Sequence, residues 1–162
     1  MTNVKDIKLL ITDVDGVMTD GGMYFTSNGD EMKRFNAKDG VAINMCREHG
    51  IESGIISHGH HAGIVEARAT VLGIQRVYVG KEPKVDVLSK WVKEMGLNMT
   101  QVAYIGDDLN DIPVMEMVGI SACPADASGA VKKISDVVLK TNGGHGCIRE
   151  FVEVHLINSN PI

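Results

Sequence analysis

Short aliphatic runs alternate with helical patterns along this chain, and this alternation limits the possible folds more than any other feature. The runs expected to form strands lie at residues 7–12, 54–57, 77–79, 102–105, 120–122 and 137–139. The segments with apolar residues at helical spacing lie at residues 41–48, 64–72, 84–95, 112–118 and 148–156. Strands that alternate with helices predict a parallel sheet covered on both faces. The expected fold class is therefore α/β, a Rossmann-like sheet between two layers of helices.

One domain is expected, with a small flap near its start. The chain has 162 residues, enough to bury a sizeable core. No repeat, low-complexity tract or linker divides it, so residues 1–162 are expected to form a single domain. The pair Asn28-Gly29 between apolar residues predicts a β-hairpin flap over about 22–36. Asp39 is expected to cap the helix that follows the hairpin.

The charge balance and the cysteines exclude several classes of protein. Acidic residues outnumber basic residues by 21 to 16, giving a net charge of −5. An acidic chain disfavours nonspecific binding to nucleic acid or to anionic membranes. No apolar run is long enough to span a bilayer, and the N-terminus lacks a signal-peptide apolar region. Three separated cysteines, Cys46, Cys123 and Cys147, are typical of buried reduced thiols, so we expect a cytoplasmic protein.

Polar residues suited to phosphate chemistry follow several of the predicted strands. Asp13 and Asp15 end the first strand, and Ser57 ends the second. Lys84 begins the helix after the third strand, and Asp107 follows the fourth. Ligands of such sheets bind outside the carboxyl ends of the strands. We therefore expect these side chains to converge on one edge of the sheet.

A bound cation would explain why carboxylates converge there, since unpaired acids repel one another. Mg²⁺ prefers hard oxygen ligands and takes only one or two carboxylates from a protein, here Asp13 and Asp107. Ser57 can donate a hydrogen bond to a phosphate, and Lys84 can neutralise its charge. Asp13 can then attack phosphorus to form an aspartyl phosphate, while Asp15 protonates the leaving oxygen and later activates water.

At these positions the chain resembles the haloacid dehalogenase superfamily of phosphotransferases. The stretch DVDGV at residues 13–17 is similar to the first motif of that family. Ser57 after "GII" resembles the second motif, Lys84 the third, and GDDLND at residues 106–111 the fourth. The four motifs occur in the family's order, and the set is far more specific than any one motif alone.

The resemblance also implies a role for each acidic residue. It implies that Asp13 is the nucleophile and Asp15 the general acid and base. It implies that Mg²⁺ is held by the side chains of Asp13 and Asp107 and by the main-chain carbonyl of Asp15. Asp108 and Asp111 are expected to support these ligands without touching the metal.

The resemblance extends to a subclass without a cap domain. The first two motifs lie roughly forty residues apart, too few for the cap that many members carry. The best-known members of this subclass are tetrameric phosphatases of eight- and nine-carbon sugar-acid phosphates. Residues 13–40, 102–116 and 143–151 are similar to the octulosonate 8-phosphate branch of this subclass. This implies a homotetramer that acts on a phosphorylated sugar acid in lipopolysaccharide precursor synthesis, with a nonulosonate 9-phosphate as the alternative substrate.

The chain departs from the family in the loop after the second motif. Members of the subclass usually have Gly-Arg or Gly-Glu there, whereas residues 58–61 read His-Gly-His-His and are one residue longer. In the family this loop helps to define the sugar-acid pocket, partly across a subunit interface. The resemblance therefore implies that His58, Gly59 and His60 bind substrate. Arg68 keeps the position of an arginine associated with substrate binding from the neighbouring subunit.

Several alternatives stay open from the residues alone. Lys81 lies on the same loop as Lys84 and offers the same charge. Asp111 could cap the helix that begins near Pro113. The imidazoles of residues 58–61 could hold zinc, although their spacing matches no known zinc signature.

Two further alternatives concern the later part of the chain and the function as a whole. The stretch GGHG at residues 143–146 is expected to be a flexible segment that folds over the active site. The whole chain could act on another small phosphate ester. It could also be a non-catalytic module, either a receiver domain or an assembly domain related to the carboxy-terminal domain of animal CMP-sialate synthetases.

Overall fold

A computed structural model describes residues 6–157 of the chain. Six parallel strands form one sheet in the order β5-β4-β1-β6-β7-β8, and two short antiparallel strands, β2 and β3, form a hairpin. The strands are β1 (Leu9–Thr12), β2 (Tyr24–Phe25), β3 (Glu31–Met32), β4 (Glu52–His58), β5 (Arg76–Gly80), β6 (Val102–Ile105), β7 (Ile120–Cys123) and β8 (Val137–Val138). The predicted domain limits at residues 1 and 162 lie outside the described residues.

Helices cover both faces of the sheet. They are α1 (Ala37–Glu48), α2 (Ala62–Leu72), α3 (Lys84–Glu94), α4 (Ile112–Met115), α5 (Gly129–Ile134) and α6 (Cys147–Phe151). One apolar core includes residues of α1, α2 and α6, and the other includes residues of α3, α4 and α5. The predicted three-layer α/β fold is therefore confirmed, and no cap domain interrupts the described chain. Within residues 6–157, none of the helices has both the length and the apolar character that crossing a membrane would require.

The first strand shows why this sequence builds two cores. All four residues of β1 are buried. Successive side chains of a strand point to opposite faces, so Leu10 joins the core under α1, while Leu9 and Ile11 join the core under α3. A strand buried on both faces must be apolar along its whole length. The polar residues that follow β1 therefore mark the point where the chain leaves the interior.

The order of the strands places a crevice at the carboxyl end of β1. Thr12 lies opposite Ile55 of β4 on one side and Ile105 of β6 on the other. The chain continues from β1 to β4 in one direction and from β5 to β6 in the other, so the connections diverge at this point. Such a switch point is where open α/β sheets bind their ligands.

The start of α1 differs from the prediction. The helix begins at Ala37 rather than at residue 41, and its N-cap is Asn36, whose side chain accepts a hydrogen bond from the Lys38 amide. Asp39 therefore does not cap this helix. It lies buried in the first turn, where its carboxylate accepts a hydrogen bond from the amide of Arg149 in α6.

The last third of the chain holds the other corrections. The helix α5 was missed because six residues are too few to show a helical period, although Ser128 caps it. The helix predicted over 148–156 divides into α6 and a π-helical turn at Val152–Ile157. The GGHG segment is not a loose flap: Gly144 donates a hydrogen bond to the Val17 carbonyl, and both Gly143 and Gly144 are buried.

Candidate active site

The carboxyl ends of β1, β4 and β6 meet around a small cavity of about 260 Å³. Its lining includes Asp13 and Asp15 from the turn after β1, Ser57 from β4, and Asp107 and Asp108 from the loop after β6. Ser57 is almost fully buried. The structure thus brings together the residues that the sequence placed at separate strand ends.

Asp13 is held rigidly at the floor of this cavity. Its amide donates a hydrogen bond to the Ile105 carbonyl, which continues the β1–β6 pairing by one residue. One carboxylate oxygen accepts a hydrogen bond from the Val14 amide at 2.7 Å, and the other lies 3.0 Å from the Lys84 ammonium. The carboxylate is fixed from both sides and cannot rotate freely.

A fully buried ion pair supports Asp13 from below. Lys84 donates a hydrogen bond to Asp111 at 2.7 Å, and the Tyr104 hydroxyl donates to the same oxygen at 2.7 Å. One oxygen of Asp111 therefore accepts from two donors, and Lys84 is shared between the carboxylates of Asp111 and Asp13. Each charged side chain of the group thus has a partner. We refer to Asp13, Lys84, Tyr104 and Asp111 as the charge cluster.

The charge cluster distinguishes between two alternatives left open by the sequence. Lys84, and not Lys81, contacts Asp13, and Lys81 instead lines a neighbouring cavity. The second Asp111 oxygen accepts hydrogen bonds from the amides of Asp107 and Asp108. Asp111 occupies the N-cap position of α4, as the capping alternative expects, but its side chain makes no capping hydrogen bond to that helix. Its side chain instead fixes the loop that carries Asp107.

The electrostatics of the site show an excess of negative charge. Burial, together with Asp13 and Asp111, raises the pKa of Asp107 to about 8. Burial and Asp111 raise the pKa of Asp13 to about 6, against the opposing effect of Lys84. Burial alone would lower the pKa of Lys84, but the two carboxylates beside it raise that pKa overall. One lysine therefore does not balance the three acids.

The donor set fits a hard divalent cation. Oxygen atoms of Asp13, Asp107 and Asp111 lie within 4.8 Å of one another. Asp111 is committed to Lys84, Tyr104 and two amides, so Asp13 and Asp107 are the pair with capacity for a cation. Two carboxylates and an open cavity for water match the preference of Mg²⁺. In the described part of the chain, the histidines of residues 58–61 belong to no comparable cluster, so the zinc interpretation gains no support.

A glycine makes the close approach of the two loops possible. Gly16 has a φ of +85°, and a Cβ atom there would lie 2.0 Å from an Asp107 carboxylate oxygen. Any other residue would be strained and would push Asp107 away from Asp13. The sequence carries this signal as the glycine directly after the two aspartates.

Asp15 makes a contact that the sequence analysis missed. The Lys33 ammonium lies 2.7 Å from an Asp15 carboxylate oxygen and 2.8 Å from Glu31. Both Lys33 and Glu31 come from the hairpin, and their side chains are only 6 % exposed. The hairpin is thereby tied to the turn after β1. The only sequence signal for this contact is a lysine that follows the turn of the predicted hairpin. That signal is too weak to predict which acid the lysine contacts.

A second cavity of about 420 Å³ adjoins the first and shares Asp15, Ser57 and His58 with it. The hairpin supplies one wall, including Met23 and Phe25. Residues 58–61 supply the opposite wall. We refer to the hairpin and residues 58–61 as the mouth of the site.

The expected substrate-binding residues fall into two groups. The first group, His58, Gly59 and His60, lines the second cavity. Arg68 does not line either cavity of its own chain. Its guanidinium lies 5.7 Å from the centre of the Phe35 ring and donates a hydrogen bond to the Asn36 carbonyl.

Comparison with known proteins agrees with this site. A family model described as haloacid dehalogenase-like hydrolase matches residues 59–151. The 3-deoxy-D-manno-octulosonate 8-phosphate phosphatase KdsC of Salmonella typhi is 41 % identical over 157 residues, which cover 97 % of this chain and 83 % of that protein.

Solved structures of the same kind of phosphatase share the fold. The enzyme from Moraxella catarrhalis, in complex with magnesium, phosphate and KDO, superposes with a TM-score of 0.89 at 33 % identity, covering 93 % of this chain and 86 % of that one. The cobalt-bound enzyme from Haemophilus influenzae superposes with a TM-score of 0.87 at 39 % identity, covering 93 % and 87 %.

Proposed function

The chain belongs to the haloacid dehalogenase-like hydrolases, and from that premise we propose that it is a magnesium-dependent phosphatase of 3-deoxy-D-manno-octulosonate 8-phosphate. The observation that carries the proposal is the buried Asp13 carboxylate, held by Lys84 beside Asp107 at the open end of β1. The identity of 41 % to a phosphatase of that substrate, over nearly the whole chain, supports the choice of sugar acid.

Asp13 carries the first chemical step in this proposal. One of its carboxylate oxygens forms a bond to phosphorus as the bond from phosphorus to the sugar oxygen breaks, which gives an aspartyl phosphate. The amide of Val14 and the ammonium of Lys84 fix the carboxylate, so little reorganisation is needed when it attacks. Ser57, buried in the lining of the cavity, donates a hydrogen bond to the transferred phosphoryl group.

Asp15 carries the proton transfers. It lies two residues after Asp13 and lines both cavities, so it faces the passage between the phosphate and the sugar. It donates a proton to the leaving sugar oxygen and then takes a proton from the water that hydrolyses the aspartyl phosphate. The Lys33 ammonium lies 2.7 Å from an Asp15 carboxylate oxygen and holds the Asp15 side chain in this position.

Asp13, Asp107 and the main-chain carbonyl of Asp15 would hold the magnesium ion, which when bound offsets the negative charge of phosphate and carboxylates. Asp108 and Asp111 support this set, because the backbone amides of Asp107 and Asp108 both donate hydrogen bonds to the Asp111 carboxylate, which fixes the loop. Gly16 keeps the ligands close enough to share one ion.

We propose that the mouth recognises the sugar acid within a homotetramer, and that residues 1–162 belong to a single domain of each subunit. Four large apolar side chains of the hairpin are exposed together, and such a group suits burial against another subunit: Met23, Tyr24, Phe25 and Met32. His58, Gly59 and His60 face the sugar, and Arg68 reaches a neighbouring site. Three free, buried cysteines suit a reducing, cytoplasmic setting.

A phosphate-release assay tests the proposal. The purified protein is incubated with octulosonate 8-phosphate, a nonulosonate 9-phosphate and p-nitrophenyl phosphate, each with Mg²⁺ and with EDTA. We expect Mg²⁺-dependent release, with the highest kcat/KM for octulosonate 8-phosphate. Asp13→Asn is expected to lower kcat by at least about 10³-fold, because the amide is not a nucleophile.

The other outcomes each reject part of the proposal. No Mg²⁺-dependent release from any ester would reject the phosphatase and favour the non-catalytic module. Preference for the nonulosonate would move the substrate from the eight-carbon to the nine-carbon acid. Full activity of the Asp13→Asn protein would remove Asp13 as nucleophile.

A further inference from the structure

The His58 ring connects two loops that flank the candidate active site. Its Nε2 atom lies 2.8 Å from the backbone carbonyl oxygen of Glu82, and its Nδ1 atom lies 3.3 Å from the side-chain amide nitrogen of Asn110. A carbonyl oxygen only accepts hydrogen bonds, so Nε2 carries the proton and donates. Nδ1 is then the acceptor for Asn110. The neutral ring in this tautomer satisfies both partners at once.

One of these partners lies in the turn that leads to Lys84. The Glu82 amide donates a hydrogen bond to the Tyr78 hydroxyl at 2.9 Å, while the Glu82 carbonyl accepts from His58. Both polar groups of the Glu82 backbone are therefore held by side chains. Pro83 follows, and Lys84 opens α3. The position of Glu82 thus sets where the Lys84 backbone begins.

The other partner lies in the loop that carries Asp107. Asn110 belongs to the 3₁₀ turn Leu109–Asp111, directly before Asp111. Asp111 in turn fixes the amides of Asp107 and Asp108. A displacement of Asn110 would therefore also move Asp107, whose carboxylate lies near Asp13.

The two loops also meet in the interior, where Lys84 bonds to Asp111. His58 supplies a second link between them at the rim, where Asn110 is exposed. With only one link, one loop could rotate against the other about that contact. The second link, at a separate point, prevents this rotation. Because the rim link is partly exposed, we expect a moderate rather than complete effect when it is lost.

We infer that His58 is a positioning residue that fixes the turn before Lys84 against the Asp107–Asp111 loop. The inference rests on the proposed function for its kinetic consequence, but its structural consequence is independent of it. Both ring nitrogens of His58 are already engaged within the protein, so they are not free to hydrogen-bond the sugar. The effect of His58 on turnover should therefore be independent of the sugar.

Two substrates distinguish a positioning role from a contact with the sugar. We propose to compare kcat for octulosonate 8-phosphate and for p-nitrophenyl phosphate, which lacks a sugar. His58→Ala is expected to lower kcat roughly tenfold on both substrates, because the phosphoryl-transfer groups move slightly out of place. A loss confined to the sugar-acid phosphate would overturn the inference, since it would identify a contact with the sugar.

Four further variants complete the kinetic test. Asn110→Ala should lower kcat about as much as His58→Ala, and the double variant should be no slower than either single variant, because both remove one link. His58→Gln keeps one donor and one acceptor and should recover most of the rate. His49→Ala, at the far end of α1, is the matched control and should match the wild type. Independent, multiplicative effects of His58 and Asn110 would contradict the link.

Hydrogen–deuterium exchange supplies a readout that needs no turnover. In His58→Ala we expect faster exchange in peptides covering both 80–84 and 107–111, with no change in His49→Ala. Unchanged exchange in both peptides would overturn the inference even if kcat fell. If the wild type proved inactive on every ester, the proposed function would fail, and this exchange comparison would still decide the role of His58.

Discussion

The charge cluster and the mouth lie side by side but are built in opposite ways. In the charge cluster each side chain is buried, and hydrogen bonds or ion pairs join Asp13, Lys84, Tyr104 and Asp111 into one group. In the mouth the hairpin strands are two residues long, and their large apolar side chains face solvent. The first region is determined within one chain, whereas the second presents a surface that another molecule can cover.

This difference separates the reaction from the choice of substrate. Removing one partner from a buried charged group leaves an unpaired charge, so the charge cluster tolerates little variation. Residues 59–61 carry no such constraint, and they lie in the loop where the chain departs from the pattern of the subclass. A family can therefore keep its phosphoryl-transfer groups while its substrates change.

The largest effect is expected for Lys84→Met, which removes the only ammonium that contacts both Asp13 and Asp111 in the described residues. The change leaves two buried carboxylates without their shared cation. We expect it to lower the free energy of unfolding by about 3–5 kcal/mol. Urea denaturation at pH 7.5, monitored by circular dichroism, measures this value.

Lys81→Met is the matched control, because Lys81 lies in the same turn but is exposed. We expect its free energy of unfolding to stay within about 0.5 kcal/mol of the wild type. Equal losses for the two variants would show that the charge cluster does not differ from its surroundings in stability.

A smaller effect is expected at Asp39, a buried acid outside both regions. One of its oxygens has no hydrogen-bond partner among the described residues, and burial raises its pKa from 3.8 to about 6. Because the folded-state pKa lies above the unfolded value, protonation stabilises the fold. This contribution is complete below about pH 4 and is lost as the pH rises through about 6.

Asp39→Asn removes that pH dependence. Between pH 8 and pH 5 the wild type should gain about 1.4 kcal/mol in free energy of unfolding relative to the variant. Urea denaturation at the two pH values measures the difference, with Asp30→Asn in the exposed hairpin turn as the control. A constant difference between wild type and Asp39→Asn at both pH values would contradict the role of burial.

The smallest effect on the fold is expected in the mouth. Phe25→Ser replaces an exposed apolar side chain of the hairpin, so the circular dichroism spectrum should remain native. Sedimentation velocity should show the proposed tetramer of the wild type shifting toward smaller species, because the proposed subunit contact is lost. Val154→Ser, also at an exposed apolar position, is the control. An unchanged sedimentation coefficient for Phe25→Ser would separate the hairpin from assembly.

The sequence predicted the sheet well because buried strands leave a local signal. Residues 102–105 match β6 at both ends, and the helix expected from residue 84 begins there. The short elements were harder, since α5 spans fewer than two helical turns. Asn36 took the capping role expected of Asp39 because a contact with α6, distant in sequence, holds Asp39 in the interior.

The acids of the candidate site were predictable because parallel strands bring their ends together whatever lies between them. The contacts that tune those acids were not. Lys33 reaches Asp15 only because the hairpin folds back over the turn after β1. Tyr104 looks like an ordinary strand residue in the sequence, and only the structure shows that its hydroxyl donates a hydrogen bond to Asp111. Such contacts depend on three-dimensional distances that spacing in the sequence does not encode.

The central claim is that Asp13 attacks phosphorus, and the Asp15→Asn variant allows this to be observed. With p-nitrophenyl phosphate the leaving group needs no proton, so the variant should form the aspartyl phosphate but hydrolyse it slowly. After rapid quenching and borohydride reduction, peptide mass spectrometry should find homoserine at position 13. Homoserine at another aspartate, or no reduced residue despite release of p-nitrophenol, would contradict the assignment of Asp13.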